Sequence, residues 1–379
     1  MLSHTPTPFL AVKLRLFLLI LLSVLGLTSS TRWQEGISED FVQFFIDTER
    51  SGDDEVTAAV FDPVLRILAI GRESGRMEFW DTRQTGVRIT REAHVARTEF
   101  IAFGREDGIV LSSSAFTEIP DARSKDSGIK VWDASSGELL HTLTDMRAPG
   151  PMTASPVKGL YLISDTSTLL LYDHTQRSFV GKPLKMDLEA QVTSVTADAV
   201  SGLIAAGTSR GDLLLLRLDM SGSAPRLQIL KQVSPYGRQV RSDILTLLLL
   251  DNGQRLVSVG WVPEDQRNGP QQAEVIAWDS TTLEHRRSFP FSLSTVNWAS
   301  STAGEPWLVL AGTDSRRGKI ELVDLRNGVA WRYRANTTHP KAVLLPEIRK
   351  GLIFQAGGAT RIQYLNEEAA WREKEKLAR

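Results

Sequence analysis

The chain has 379 residues, enough for two or three ordinary domains or for one large repeat array. Hydrophobic residues make up 42% and charged residues 23%, a globular balance that excludes disordered and collagen-like classes. Lys and Arg total 44 against 45 Asp and Glu, without a long basic run, which argues against a dedicated nucleic-acid binder, and the absence of cysteine excludes disulfides, cysteine-ligated zinc, iron–sulfur clusters and thiol catalysis.

Residues 1–15 carry Lys13 and Arg15 and no acid, and residues 16–27 are apolar apart from Ser23 and Gly26. Thr28, Ser29 and Ser30 follow, completing the charge, apolar core and small-residue order of a secretory signal. Twelve residues, ten of them apolar, are short for a bilayer, which needs ~20 in a helix. Residues 1–30 are therefore expected to be a signal peptide or a signal anchor, with residues 9–27 as the membrane tether in the second case. Without Lys13 and Arg15, 42 basic residues face 45 acidic ones. An exported chain of this size buries enough surface to fold without disulfides. The expected location is the periplasm, free or anchored to the inner membrane.

A short run in residues 41–47, FVQFFID, follows, apolar and rich in β-formers. Residues 56–81 then read as apolar strand, Asp62-Pro63 turn, apolar strand, Gly71 to Gly75 turn, and a strand ending in Trp80-Asp81. The same grammar returns six times, with turns at 104–108, 156–159, 198–202, 251–253, 302–304 and 346–351, each followed by a short apolar strand. Strand ends are marked by Trp80-Asp81, Trp132-Asp133 and Trp278-Asp279, and less fully by Tyr172-Asp173, Leu218-Asp219, Val323-Asp324 and Leu365-Asn366. Their second residues lie 52, 40, 46, 60, 45 and 42 positions apart.

Strand-rich repeats of this length ending in Trp-Asp resemble WD40 repeats over about residues 41–366. The resemblance implies an all-β fold, a seven-bladed β-propeller of four-stranded antiparallel blades spanning residues 31–366. The last unit lacks an outer strand, so residues 41–47 are expected to supply it and close the ring. The Gly-His pair of the family survives only as Ala93-His94, with Thr338-His339 as a weaker trace, so its His–Ser/Thr–Asp–Trp network is traceable only in the second unit, through His94 and Trp132. Trp80, Asp81, Trp132, Asp133, Trp278 and Asp279 are read as structural. Residues 367–379 form a charged tail with helical spacing at Ala370, Trp371, Lys374 and Leu377.

Residues 207–211, GTSRG, satisfy the G-x-S-x-G pattern, but apolar residues 213–216 follow, so Ser209 is read as part of a strand–strand hairpin. No two of the six histidines lie at metal-ligand spacing, and the acidic clusters at 53–55, 264–265 and 367–368 lack the alternation of a calcium loop. No catalytic, cofactor or metal residue is therefore assigned. Function on a repeat scaffold lies in its variable loops. The long segments 114–127 and 261–273 share a rim, by resemblance, with the connections 145–151 and 234–238; Lys185 and Arg316-Arg317 add to it. That rim offers Phe116, Met146, Arg147, Tyr236, Arg238, Trp261 and Arg267, side chains of the type that dominates protein interfaces. The expectation is a monomeric, non-enzymatic scaffold holding a protein partner in the cell envelope, as an independent adaptor or as part of an envelope assembly. A lactonase-like enzyme or small-ligand binder, with its site at the mouth of the central channel, is the alternative.

Overall fold

The structure is a computed structural model that describes residues 44–45, 54–83, 88–114, 128–144, 146, 148–186, 190–235, 243–262, 272–289, 291–301, 306–314, 317–328, 330–334, 341–345, 351–356 and 359–363. These residues form 28 strands and the fold is all-β. In chain order the first are β1 (Phe44–Phe45), β2 (Val56–Asp62), β3 (Ile67–Arg72), β4 (Arg76–Asp81), β5 (Arg88–Glu92), β6 (Thr98–Phe103), β7 (Ile109–Ser114), β8 (Ile129–Asp133) and β9 (Leu139–Leu143). There follow β10 (Pro149–Ala154), β11 (Leu160–Asp165), β12 (Thr168–Asp173), β13 (Ser178–Lys185), β14 (Val192–Ala197), β15 (Leu203–Thr208), β16 (Leu213–Asp219) and β17 (Arg226–Val233). The next are β18 (Ile244–Leu250), β19 (Arg255–Val262), β20 (Gln272–Asp279), β21 (His285–Phe289), β22 (Thr295–Ser301), β23 (Trp307–Asp314), β24 (Arg317–Asp324) and β25 (Ala330–Arg334). The last are β26 (Ala342–Leu345), β27 (Gly351–Ala356) and β28 (Ala359–Gln363).

Consecutive strands pair antiparallel into four-stranded units arranged as in a propeller. Four sheets take four consecutive strands each: β2–β5, β6–β9, β18–β21 and β22–β25. A fifth has the order β1-β28-β27-β26, with Phe44 opposite Ile362 and Phe45 opposite Arg361. The sixth sheet departs from the sequence expectation. It has eight strands, because the outer strands of the β10–β13 and β14–β17 units meet edge to edge in one parallel pairing, Lys182 with Arg226. Gly181 makes the approach: its φ is +71°, and a Cβ there would sit 2.0 Å from the Pro225 carbonyl oxygen.

The first strand of each unit is innermost, and a repeated irregularity near its start lets neighbouring units converge. The first-to-second strand register slips in β2, β6, β10, β14, β18 and β22, as at a β-bulge. Side chains then tie each unit to the next. Thr57 donates to the Thr98 carbonyl, Thr193 to that of Ile244 (2.8 Å), and Ser300 and the Trp298 indole to that of Ala342 (2.6 and 2.8 Å). Lys341 Nζ donates to the Val56 carbonyl at 2.6 Å, joining the β26 unit back to the β2 unit across 285 positions of sequence. Val343 of β26 is buried with Val56, Phe61, Leu68 and Trp80 at that same junction. Gly71 fits this spacing, since a Cβ there would lie 2.7 Å from Thr98 Cβ of the next inner strand. The core lies between the sheets, in apolar clusters that draw on adjacent units.

Candidate functional site

The innermost strands enclose an axial cavity of about 580 Å³, which contains residues of β2, β6, β10, β14, β18 and β22 together with Val343. Its lining combines small, β-branched and apolar residues such as Ala58, Val60, Ala102, Thr153, Val195 and Leu249 with the charged Asp62, Glu99, Arg105, Glu106 and Asp198, and no histidine is among them. Two charged groups, Asp62 in the cavity lining and Lys341 at the junction of the β26 and β2 units, are perturbed by burial. Desolvation pushes the Asp62 carboxyl up, against the N–H groups of Leu65 and Val64 that stabilise its anion; the charge of Asp107 adds to the rise. Desolvation also pushes the Lys341 ammonium down. The two do not converge, because Asp62 ends β2 whereas Lys341 precedes β26 and bonds Val56 at the opposite end of β2. Among the described residues, no three His, Asp or Glu side chains are placed to share a metal ion.

A separate polar cluster joins the β6–β9 and β10–β13 units. Asp107 Oδ2 accepts from the Tyr161 hydroxyl at 2.9 Å and lies 3.4 Å from His174 Nε2, while Oδ1 accepts from the Ile109 N–H at 3.1 Å. Tyr161 is fully buried, and burial with the adjacent carboxylate drives its hydroxyl far above the ordinary tyrosine range. Tyr172, at the Trp position of that unit, has its hydroxyl pushed up to about 12 by burial. These contacts bind one unit to the next and leave no carboxylate exposed for acid–base work.

The Trp-Asp ends divide into two roles. Trp80, Trp132 and Trp278 are each less than 10% exposed, and each indole N–H has an acceptor. Trp132 donates to Ser112 Oγ at 2.9 Å and Trp278 to Ser258 Oγ at 2.8 Å. His94 Nε2 meets the same Ser112 hydroxyl at 2.8 Å, so three members of the expected network are in place in the second unit. The aspartates cap the turns after the third strands. Asp133 Oδ1 accepts from the Ser135 and Ser136 N–H groups, Asp173 from Thr175 and Gln176, Asp279 from Thr281 and Thr282, and Asp324 from Arg326. Asp81 and Asp219 do the same with Arg83 and Ser221. The signal was present in the sequence as Asp followed two or three places on by Ser, Thr, Arg or Asn, the Asx-turn pattern.

These caps predict an acid limit. The Arg83 guanidinium holds Asp81 low, the Ser136 and Ser221 N–H groups hold Asp133 and Asp219 low, and the Thr281 hydroxyl does so for Asp279. At Asp173 and Asp324 burial pushes upward, but the bonds from Thr175 and Arg326 outweigh it. A carboxyl whose folded pKa is depressed stabilises the fold above its unfolded value of ~3.9 and loses that contribution as pH falls through the folded value. Asp62, raised, has the opposite sign, and its single contribution is outnumbered. The urea midpoint should therefore fall steeply below about pH 4, and Asp133→Asn with Asp173→Asn should flatten that fall. An unaltered pH profile in the double variant would disprove the role of the caps.

The rim residues read from the sequence are distributed differently. Phe116, Arg147, Tyr236, Arg238 and Arg267 lie outside the described residues, as do residues 1–43 and 367–379. Met146 is not a rim residue: it is 4% exposed and packs with Ile129, Leu143, Met152 and Tyr161, its unbranched chain filling the space between two units. Trp261 belongs to a strand rather than to a loop, because β19 and β20 continue as a hairpin through the pairs Trp261–Ala273 and Val262–Gln272. Likewise Ser114 ends β7, β10 begins at Pro149 within the expected connection, and Arg317 opens β24. Lys185 lies on the outer strand β13, away from the innermost strands. Ser209 occupies the β15–β16 hairpin turn, where its Oγ accepts the Gln191 N–H at 3.0 Å.

No family model matches the chain, and no curated protein matches it. Among solved structures it is similar to the β-propeller domain of Cps50 (Swd1) from Myceliophteria thermophila. That likeness has a TM-score of 0.60 at 15% identity, over 82% of this chain and 97% of that one. In all, 1380 solved chains match, so the likeness identifies a widely used fold and assigns no activity.

Proposed function

We propose that this chain is a closed, seven-bladed propeller of WD40 type, exported to the cell envelope, that acts as a monomeric, non-enzymatic scaffold for a protein partner. The count of seven takes the eight-stranded sheet as two blades meeting at Lys182 and Arg226. Closure rests on the β1–β28 pairing and on the Lys341–Val56 bond. The observation that carries the scaffold reading is the axial cavity: its charged groups, Asp62, Glu99, Arg105, Glu106 and Asp198, stand among small and apolar residues without a histidine, and no three His, Asp or Glu side chains among the described residues are placed to share a metal ion. A rigid ring presents its loops at little entropic cost on binding. Export is supported by Lys13, Arg15 and the apolar residues 16–27.

The test is in-cell crosslinking of the tagged full-length chain, followed by capture from the envelope fraction. The expected result is one reproducible envelope protein, lost in the Tyr236→Ala, Trp261→Ala double variant while the cooperative unfolding transition is retained. A soluble chain with no partner would overturn the scaffold reading and direct attention to small ligands at the channel mouth.

A further inference from the structure

The outer margin of the propeller is polarised. Of the nine large apolar residues that stand exposed among the described ones, six lie on the outer strands of three consecutive units or in the turn leading into one: Leu139, Leu140, Phe179, Met220, Ile229 and Leu230. Among the described side chains, the outer strand β21 is cationic without such residues, with Arg286 and Arg287. The concentration is greatest where β13 and β17 meet. Their sequences, SFVGKPLK and RLQILKQV, contain four basic residues and no acid. Lys182, Lys185, Arg226 and Lys231 are all exposed beside Phe179, Ile229 and Leu230.

Backbone irregularities create this surface. The β16–β17 register steps from Leu215–Lys231 to Leu216–Ile229, which leaves Leu230 as the extra residue of a bulge. Ile229 and Leu230 are consequently neighbours in sequence that are both exposed, 47% and 45%. On β13 the register slips between Leu169 and Leu171 of β12, opposite the segment that holds Gly181, Lys182 and Pro183. Pro183 has no N–H to donate and Gly181 has left the extended conformation, so β13 is a poor template for an added strand. The edge thus recognises through side chains, apolar tips among ammonium and guanidinium groups. That combination suits an interface in which acyl chains and anionic headgroups lie a few ångströms apart.

We propose that the joined outer edge of β13 and β17 docks the propeller on an anionic lipid surface, independently of the loop rim. Four cations outnumber the one neighbouring carboxylate, Asp219, which faces Arg226 and accepts from Gln228, and Lys182 and Lys185 stand clear of it; that excess selects lipid phosphate, while Phe179, Ile229 and Leu230 enter the acyl boundary. Because the chain lacks cysteine, Gln228→Cys on β17 and Ser288→Cys on β21 each accept a unique fluorescent label in the full-length protein. The probes are phosphatidylcholine vesicles with or without phosphatidylglycerol, carrying a nitroxide quencher in their acyl chains. The label at 228 should be quenched on the anionic vesicles only, and the label at 288 on neither. Quenching at 228 should disappear in Phe179→Ser, Ile229→Ser, Leu230→Ser and, separately, in Lys182→Gln, Lys185→Gln, both with unchanged cooperative unfolding. No quenching at 228, equal quenching at both positions, or protection of 228 by a second copy in the absence of vesicles would overturn the proposal.

Discussion

Glu78→Ala should lower the unfolding free energy by roughly 3–5 kcal/mol, the cost of stripping a buried cation of its partner. Glu78 is 1% exposed, and its two oxygens receive Arg72 Nε at 3.2 Å and Nη2 at 3.3 Å. The Trp80 indole donates to the same carboxylate at 3.1 Å. The reason for this arrangement is visible in the register. In the units containing Trp132 and Trp278, a serine stands two places beyond the residue opposite the Trp, at Ser112 and Ser258, and accepts the indole N–H. In the β2–β5 unit that place is held by Ile70, which faces Glu78 across the strand pair. Glu78 supplies the missing acceptor, and Arg72 makes its burial tolerable. The Arg72→Met, Glu78→Gln double variant keeps an acceptor for Trp80 and removes both charges, so it should lose much less than Glu78→Ala. Denaturant midpoints of the three chains decide the matter; a Glu78→Ala transition coincident with that of the natural chain would show that the pair is solvated.

Most of the architecture was legible because it repeats. The alternation in residues 56–81 fixes which residues face neighbouring sheets, and turn residues such as Asp62-Pro63 fix where strands reverse. The outer strand missing from the last unit was legible too, from an apolar run without a partner; within it Phe44 and Phe45 pair with β28. What sequence reasoning missed depends on contacts between units, where the local pattern carries no information. Met146 looked like a loop residue beside Arg147, but the space between two sheets draws it inside. Trp261 stands at the start of the expected long segment 261–273, but the ladder to Ala273 carries the strand past the glycine at 260. The joining of β13 to β17 turns on one positive-φ glycine, and no periodicity announces which glycine in a strand will bend it toward a neighbour. The Asp107–Tyr161–His174 cluster brings together residues 54 and 13 positions apart from two different units, and is equally silent in the sequence.

Trp132→Ala is the substitution expected to match Glu78→Ala in size, at about 3–5 kcal/mol, through a different physical route. Trp132 is 3% exposed and lies among Phe79, Met77, Ala93, Ile101 and Val110, so it fills the space between the β2–β5 and β6–β9 units. Its ring is 6.3 Å from that of Phe79, tilted by 55°. Truncation leaves a cavity between two sheets that strand pairing holds in place, and it also takes a donor from Ser112. Trp132→Phe separates the two losses, since it preserves most of the apolar volume and removes only the N–H; it should cost roughly 0.5–1.5 kcal/mol, the net worth of one hydrogen bond. Ser112→Ala removes the hydroxyl from both Trp132 and His94, so its effect should exceed that of Trp132→Phe. In thermal and urea unfolding, Trp132→Ala should be the most destabilised, Ser112→Ala the next and Trp132→Phe the least, because packing dominates and the polar network adds to it. If Trp132→Phe proved as damaging as Trp132→Ala, the hydrogen-bonded network rather than the apolar fill would be what holds the two units together.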